Sequence, residues 1–167
     1  IIQGVVYMKS NFEFLEDEKD WEVLYKMGKT AEILIYDDPN TSLIKIRQMG
    51  EFIAKSALVL EKIPEPSRCD QLTRINMLKS ESLINREVEN IFHAIRKDGN
   101  DANHEFVGET KKAKLLLSFA FRLAGWFKEL DGSDYKFDIS ELKYREPDNI
   151  KIYENLDEAF GNHSFEA

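Results

Sequence analysis

The chain has 167 residues, of which 43% are hydrophobic and 32% charged, values typical of a globular domain that buries about 70% of its unfolded surface around one core. Its formal net charge of -8 excludes a broadly basic surface for nucleic acid, although a local basic patch stays compatible with it. Because Cys69 is the only cysteine and no run of about 18 apolar residues occurs, we expect a cytoplasmic protein without an intrachain disulfide, a cysteine zinc cluster, another metal site or a membrane anchor.

The first third of the chain predicts two amphipathic helices joined by a short turn. The first runs from about Asp20 to Tyr36, and the second begins at Asp38 and Pro39, since proline is tolerated in a first helical turn. The few residues between them predict an antiparallel pair. Apolar or small residues recur at spacings of three and four along the second helix and form one core-facing stripe: Leu43, Ile46, Gly50, Ile53, Ala57 and Leu60.

Three further helices follow from the same periodicity. The third carries Leu72, Ile75 and Leu78. The fourth is capped by Ser82 or Asn85, ends at Gly99 and carries an apolar stripe of Val88, Ile91, Phe92 and Ile95. The fifth is expected to start near Thr110 and to bury seven positions: Ala113, Leu116, Leu117, Ala120, Leu123, Ala124 and Phe127. Its first turn would then crowd three lysines, which the helix dipole disfavours, so an anionic neighbour is expected there. Candidate nucleic-acid contacts are therefore Lys97, Lys111, Lys112 and Lys114.

After Gly132 the helical pattern ends. Tyr135, Phe137 and Ile139 alternate with polar residues, which predicts a short β-hairpin or an irregular extended arm. We therefore predict an all-α bundle of about five helices over residues 8–132, with the residues before it read as upstream or added sequence. Residues 133–167 would form an arm and the start of a linker to a downstream domain.

A polar motif between the fourth and fifth helices is the strongest candidate site. It contains Arg96, Gly99, Asn100 and His104, and Gly99 breaks the helix within it. Arg96 and His104 would lie about 12 Å apart along a continuous helix, so they meet only if the chain bends at Gly99. In that case His104 could exchange protons or bind phosphate while Arg96 neutralises an anion. In the alternative, Gly99 and Asn100 cap two helices and His104 bonds a backbone carbonyl, which is the commoner role of a lone histidine.

Three other polar features have a structural and a functional interpretation. Arg47 and Glu51, four residues apart on the second helix, form either an ion pair or a polar pair that faces the motif after Arg96. Cys69 is expected to be a small buried hydrophobe, because nothing near it in sequence supplies a base. The acidic run at residues 16–20 is expected to be a solvated helix entry and not a metal site.

Several motifs in order resemble a known family, the helical domain at the amino terminus of type I restriction enzyme R subunits and related DEAD/DEAH-box helicases. The resemblance covers about residues 11 to 130. It is carried by Asn11-Phe12-Glu13-Phe14-Leu15, Asp38-Pro39-Asn40, the segment from Leu43 to Glu51, Phe92-His93-Ala94-Ile95-Arg96, the segment from Gly99 to His104, and the segment from Ala120 to Phe127.

The resemblance implies a larger parent protein that cleaves or remodels DNA with an ATP-driven motor. This chain has no G-x-x-x-x-G-K-[ST] phosphate loop and no DEAD or DEAH box, so ATP and Mg²⁺ would act elsewhere in the parent. The domain itself would be non-catalytic, without a cofactor. It would serve assembly with other domains or subunits of a restriction complex, or position DNA through weak or indirect contact. Formation of a homodimer is compatible with the sequence.

The domain is also similar to the HEPN superfamily, some members of which are dimeric metal-independent RNases. That similarity implies an alternative in which His104 is the base and Arg96 or Lys97 stabilises the phosphate, once the break at Gly99 folds them together. Seven residues separate the two here, more than the four to six of the superfamily pattern, which lowers the odds of catalysis. A nucleotide-binding domain and a free-standing protein-interaction module are the remaining alternatives.

Overall fold

The computed structural model describes residues 9–98 and 106–149, and every regular element in these ranges is helical. Five α-helices follow one another: α1 (Glu22–Leu34), α2 (Pro39–Leu60), α3 (Gln71–Ser80), α4 (Arg86–Asp98) and α5 (Phe106–Asp131). Three short 3₁₀ helices accompany them at Glu13–Leu15, Lys19–Trp21 and Ile139–Glu141. The predicted all-α bundle of five helices is therefore confirmed.

Three of the helices begin at a side-chain cap. Asp38 accepts the backbone N–H of Thr41 at 3.1 Å, and Pro39 occupies the first turn of α2 as predicted. Asp70 and Asn85 cap α3 and α4 in the same way. Each cap satisfies an amide that the helix leaves unpaired, worth about 1 kcal/mol. Of the two caps proposed for α4, Ser82 is wrong, since it lies in the preceding turn with a φ of 57°.

The core lies between α2 and α5, which pack against each other more extensively than any other pair. Helix α1 covers the other side of α2, α4 packs on α5, and α3 lies across α2 and α4. The predicted stripes of α4 and α5 are buried. On α2 the prediction is wrong for Leu60, which is 39% exposed in the last turn. Fully buried large side chains come from several elements, among them Phe12, Leu24, Ile46, Met49, Ile53, Phe92 and Phe127.

Helix α5 begins earlier than the sequence predicts. It starts at Phe106 instead of near Thr110, and it ends at Asp131, just before Gly132, where the helical pattern of the sequence stops. The lysine cluster at residues 111–114 therefore lies in the second turn, and the predicted conflict with the helix dipole does not arise, since that effect is confined to the first turn.

The segment after α5 is irregular and carries no strand between Gly132 and Asn149, so the hairpin alternative is wrong for this part. It folds back over the bundle, where Leu142 and Tyr144 pack against the core. Its backbone then reaches the amino-terminal segment: the side chain of Asn11 donates to the carbonyl of Arg145 at 2.7 Å and accepts the Arg145 N–H at 2.8 Å. Both ends of the described chain thus meet on one side of the bundle.

Candidate functional site

A cavity of about 240 Å³ lies where α2, α3 and α4 meet. Helix α2 contributes two charged residues on successive turns, α3 and its cap contribute three residues, and α4 contributes two residues near its end. The lining residues are Arg47, Glu51, Asp70, Gln71, Leu72, Ile95 and Arg96. Leu72 is 40% exposed and Arg47 is also exposed, so the cavity is open to solvent on their side.

Gly50 lies where α2 and α4 pack closely against each other. A Cβ atom at Gly50 would lie 3.1 Å from Cγ2 of Ile95, so a side chain at position 50 would have to displace Ile95 by a few tenths of an ångström. The Gly50 carbonyl accepts a hydrogen bond from the Gln71 side chain at 3.1 Å, which fixes the start of α3 on α2. Arg47, one turn before Gly50, and Arg96, beside Ile95, are thereby brought to the same cavity.

Arg74 holds the α3 wall in place. Its guanidinium is buried and bonds the Glu65 carboxylate at 2.9 Å, the Gln71 side chain at 3.3 Å and the carbonyl of Cys69 at 3.0 Å. This network ties the loop between α2 and α3 to the first turn of α3. The sequence analysis missed Arg74, since one arginine among polar helix residues carries no local signal of burial. It is also wrong on Cys69, which is only partly buried.

The carboxylates in the lining are already engaged. Glu51 Oε1 lies 3.5 Å from Arg47 Nε, the ion pair that the four-residue spacing predicts. Hydrogen bonds from the Thr73 side chain and backbone N–H lower the pKa of Asp70, so Asp70 is an ionised helix cap. Arg96 differs from these two carboxylates, because its Nε is buried and has no hydrogen-bond partner among the described residues. A buried donor of this kind is rare and costly.

Some of the remaining predicted site residues lie outside the described residues, and the others are lysines of α4 and α5. Gly99, Asn100 and His104 lie outside the described residues, so the approach of His104 to Arg96 stays a prediction. So does the proposal that the Arg47–Glu51 pair faces that turn. Lys97 is exposed next to the cavity residue Arg96.

The three lysines of α5 do not share one environment. Lys114 pairs with Glu146 at 2.9 Å and lies 4.8 Å from the ring centroid of Tyr36, and the bond to Glu146 raises its pKa. Lys112 lies 3.9 Å from Glu109, whereas Lys111 is exposed. Lys114 thus holds the arm to the bundle, which accounts for its position without nucleic acid.

His93, one turn before Arg96 on α4, is a titratable group that the sequence analysis did not single out. Burial is the main cause that lowers its pKa, the charge of Arg96 adds to this, and Glu89, 3.8 Å from Nε2, opposes it. His93 is therefore neutral at pH 7. Within residues 9–98 and 106–149 no group of three metal-ligating side chains could hold an ion, and none of the helices described is long and apolar enough to cross a membrane.

Comparison with known protein families identifies the domain. A family model described as "Domain of unknown function (DUF4145)" matches residues 29–123, more than half of the chain. The chain belongs to the DUF4145 family. The match runs from within α1 to most of α5, and it contains every residue that lines the cavity. The amino-terminal segment around Phe12 and the arm after Gly132 lie outside the part that matches the DUF4145 model.

A curated relative gives a second indication. The chain is 37% identical over 131 residues to a protein of Escherichia coli (strain K12) named "Type I restriction enzyme EcoKI endonuclease subunit". The similarity covers 78% of this chain but 11% of that protein, so the chain spans about one ninth of the relative's length. No solved structure matches the chain.

Proposed function

We propose that this DUF4145 domain is a non-catalytic accessory domain of a type I restriction endonuclease subunit, where it serves assembly or DNA positioning. The observation that carries the proposal is the 37% identity to the EcoKI endonuclease subunit over 78% of the chain. Because the chain spans one ninth of that protein, restriction itself would be an activity of the parent. ATP and Mg²⁺ would act there, as would the other subunits with which the domain assembles.

Charge supports an assembly role over direct binding of a DNA strand. The net charge of -8 repels phosphodiester chains, and Lys114 is engaged with Glu146. The described lining of the cavity offers no side chain that is both a nucleophile and next to a base. An assembly surface needs neither of these features.

The proposal is tested in the intact gene product expressed with its partner subunits. Deletion of residues 9–149 should abolish restriction of unmodified phage while ATP hydrolysis by the parent persists. Co-purification of the partner subunits then separates the two accessory roles: loss of the complex indicates assembly, and an intact complex with weaker DNA binding indicates positioning. Unchanged restriction after the deletion would refute the proposal, as would a reading frame that lacks helicase motifs downstream.

Metal-independent RNA cleavage is a second candidate, and the buried, unpartnered Nε of Arg96 is the observation that favours it. Such an enzyme needs a base for the 2′-hydroxyl and an arginine for the phosphate. The test is cleavage of labelled RNA in EDTA by the wild-type chain, by His104→Ala and by Arg96→Ala. We expect no cleavage by any of the three. Cleavage that both substitutions remove would replace the accessory role with a catalytic one.

A further inference from the structure

We propose that the outer face of α2, together with the adjoining edge of α1, docks an acidic amphipathic helix of a partner subunit. The outer face of α2 is the stripe formed by Ile44, Gln48, Phe52, Lys55 and Val59. The proposal rests on the proposed function, because it takes the partner from the restriction complex. It adds the surface that makes the contact and the chemistry of the segment that fits it.

The stripe is largely apolar although it faces away from the core. Its members are spaced four, four, three and four residues apart, so they share one face of α2. Ile44 is 55% and Val59 is 76% exposed, whereas Phe52 is partly buried. Branched side chains such as Ile44 and Val59 do not favour a helix, so local helix stability does not account for them. A helix that is apolar on both sides is normally covered on both.

The edge of α1 beside this stripe extends the apolar surface. Glu32 bonds the amino-terminal segment and Tyr36 bonds the arm, so these two residues mark the edge of α1 on the side of the arm and α5. At about 3.6 residues per turn, Val23 and Met27 lie on the opposite edge, next to the outer face of α2. Val23 is 52% exposed and Met27 is partly buried. The stripe of α2 alone is about 22 Å long, which matches four turns of a docked helix.

The charges of this surface are opposite to the net charge of the chain. Lys45 flanks the stripe and Lys55 belongs to it, and within the described residues neither has a carboxylate partner. The stripe contains no acidic residue, and Glu51 at its edge is paired with Arg47. The chain as a whole has a net charge of -8. A helix with carboxylates beside an apolar strip would complement both the lysines and the apolar side chains.

The same composition favours a protein over other partners. A nucleic-acid strand or an anionic membrane is bound by many cations, and this surface offers few lysines among apolar side chains. An apolar centre with charges at its margin is typical of a protein interface. The similar Escherichia coli protein is named as a subunit, which favours a second subunit as the source of the helix.

The test is photo-crosslinking in the intact gene product purified with its partner subunits. Val59 is replaced by p-benzoylphenylalanine, since its exposed position tolerates a larger side chain. We expect a crosslink to an acidic helical segment of a partner subunit, identified by mass spectrometry. A crosslink to a second copy, to another part of the same polypeptide or to a basic segment would overturn the proposal, as would the absence of any crosslink. The same label at Leu115, which is 55% exposed on α5, is the control and should not reach that segment.

Substitutions measure the contribution of the apolar side chains. Ile44→Asp combined with Val59→Asp should reduce the amount of partner subunit recovered with the parent about tenfold or more, because it places unpaired carboxylates in an apolar contact. Leu115→Asp is the matched control and should leave recovery unchanged. The melting temperature of the 167-residue chain should change little in each variant, since the replaced side chains are exposed. If Ile44→Asp lowers it, Val59→Asp alone carries the test. Unchanged recovery would refute the docking surface.

Charge reversal tests the acidity of the partner. Lys45→Glu combined with Lys55→Glu should weaken the complex severalfold at low ionic strength and remove its sensitivity to salt. Lys136→Glu combined with Lys143→Glu, at two exposed positions of the arm, is the control and should do neither. A wild-type complex that is indifferent to salt would contradict an acidic partner. Deletion of residues 9–149 keeps the two proposals apart: if the deletion dissociates the complex and the surface variants do not, the assembly role stands and this surface is wrong.

Discussion

The ring of Phe12 lies directly on Gly28 of α1, where a Cβ atom would stand 2.5 Å from the ring carbon Cγ. Phe12 is fully buried, although it belongs to the irregular segment before the first α-helix. Asn11 beside it bonds Glu32 of α1 through its backbone N–H at 2.9 Å and its side chain at 2.7 Å. This segment lies outside the part matched by the family model, yet it completes the core.

The Phe12 contact predicts the effect of a methyl group at Gly28. Gly28→Ala should lower the free energy of unfolding by about 2 kcal/mol, because overpacking against a buried ring outweighs the gain in helix propensity of about 1 kcal/mol. Urea denaturation measures the change. Gly125→Ala is the control: its Cβ meets Cδ1 of Leu142 at 3.0 Å, the far end of a side chain that can rotate away. Equal effects of the two substitutions would show that the Phe12 ring is free to move.

A buried lysine joins the two ends of the described chain. Lys128 of α5 is 8% exposed and donates to the carbonyl of Phe14 at 2.7 Å, with Glu18 at 3.5 Å and Asp134 at 3.8 Å. Its ammonium also lies 5.0 Å from the ring centroid of Phe137. The amino-terminal segment and the arm therefore both contact the same buried charge.

Replacement of Lys128 by an uncharged residue should lower the free energy of unfolding strongly. Lys128→Met should cost about 2–4 kcal/mol, because it leaves the Phe14 carbonyl and Glu18 without their cation in a partly dry site. Thermal and urea unfolding provide the measurement. Lys26→Met should change neither, since the Lys26–Glu22 pair is mostly solvated, with exposures of 69% and 66%. A stable Lys128→Met protein would mean that the other contacts of the two ends hold them without this charge.

The arm contains a buried hydroxyl whose removal should be tolerated. The OH of Tyr144 has no hydrogen-bond partner within residues 9–98 and 106–149, and burial raises its pKa far above the usual value. Tyr144→Phe should therefore leave the unfolding free energy unchanged or raise it by up to about 1 kcal/mol. Tyr135→Phe is a neutral control, since Tyr135 is 87% exposed. A destabilised Tyr144→Phe protein would reveal a hydrogen bond at this hydroxyl.

The raised pKa of Tyr144 has a consequence at high pH. A group with a raised folded-state pKa stabilises the fold below its unfolded pKa of about 10, and this contribution is lost as the pH rises through the folded value. The wild type should therefore lose stability above about pH 10 more steeply than Tyr144→Phe. Coincident curves of stability against pH would place the phenol in water.

Periodicity predicts the helices well where one face is strongly apolar. The stripe from Val88 to Ile95 on α4 and the stripe from Ala113 to Phe127 on α5 are buried as expected, because no other arrangement hides them from water. Leu60 continues the stripe of α2 in sequence but is exposed, and α2 ends at this residue. The start of α5 was placed four residues late, because Phe106 and the residues after it lack a periodic pattern.

The candidate site was predicted in part. The spacing of Arg47 and Glu51 gives their ion pair, and the polar motif draws attention to Arg96. The contribution of α3 could not be predicted, because Asp70 and Gln71 are distant in sequence from α2, and the bond from Gln71 to the Gly50 carbonyl exists only in the folded chain. Lys128 was missed for a similar reason. Lysines are almost always exposed, so the burial of one is visible only once its carbonyl and carboxylate partners are in place.

The last prediction concerns the loss of stability at low pH. Burial, with the nearby charge of Arg96, lowers the pKa of His93 in the folded state, so the unfolded chain binds a proton more readily. The stability that neutral His93 contributes is complete above the unfolded pKa of about 6.5 and is lost as the pH falls through the lower, folded value. Urea unfolding at pH 7, 6 and 5 should show a steeper loss in the wild type than in His93→Gln. Arg96→Gln should also flatten the curve, since the repelling charge is gone, whereas exchange of the exposed Arg86 for Gln should leave it as steep as in the wild type. Parallel curves for wild type and His93→Gln would show that His93 is protonated without cost.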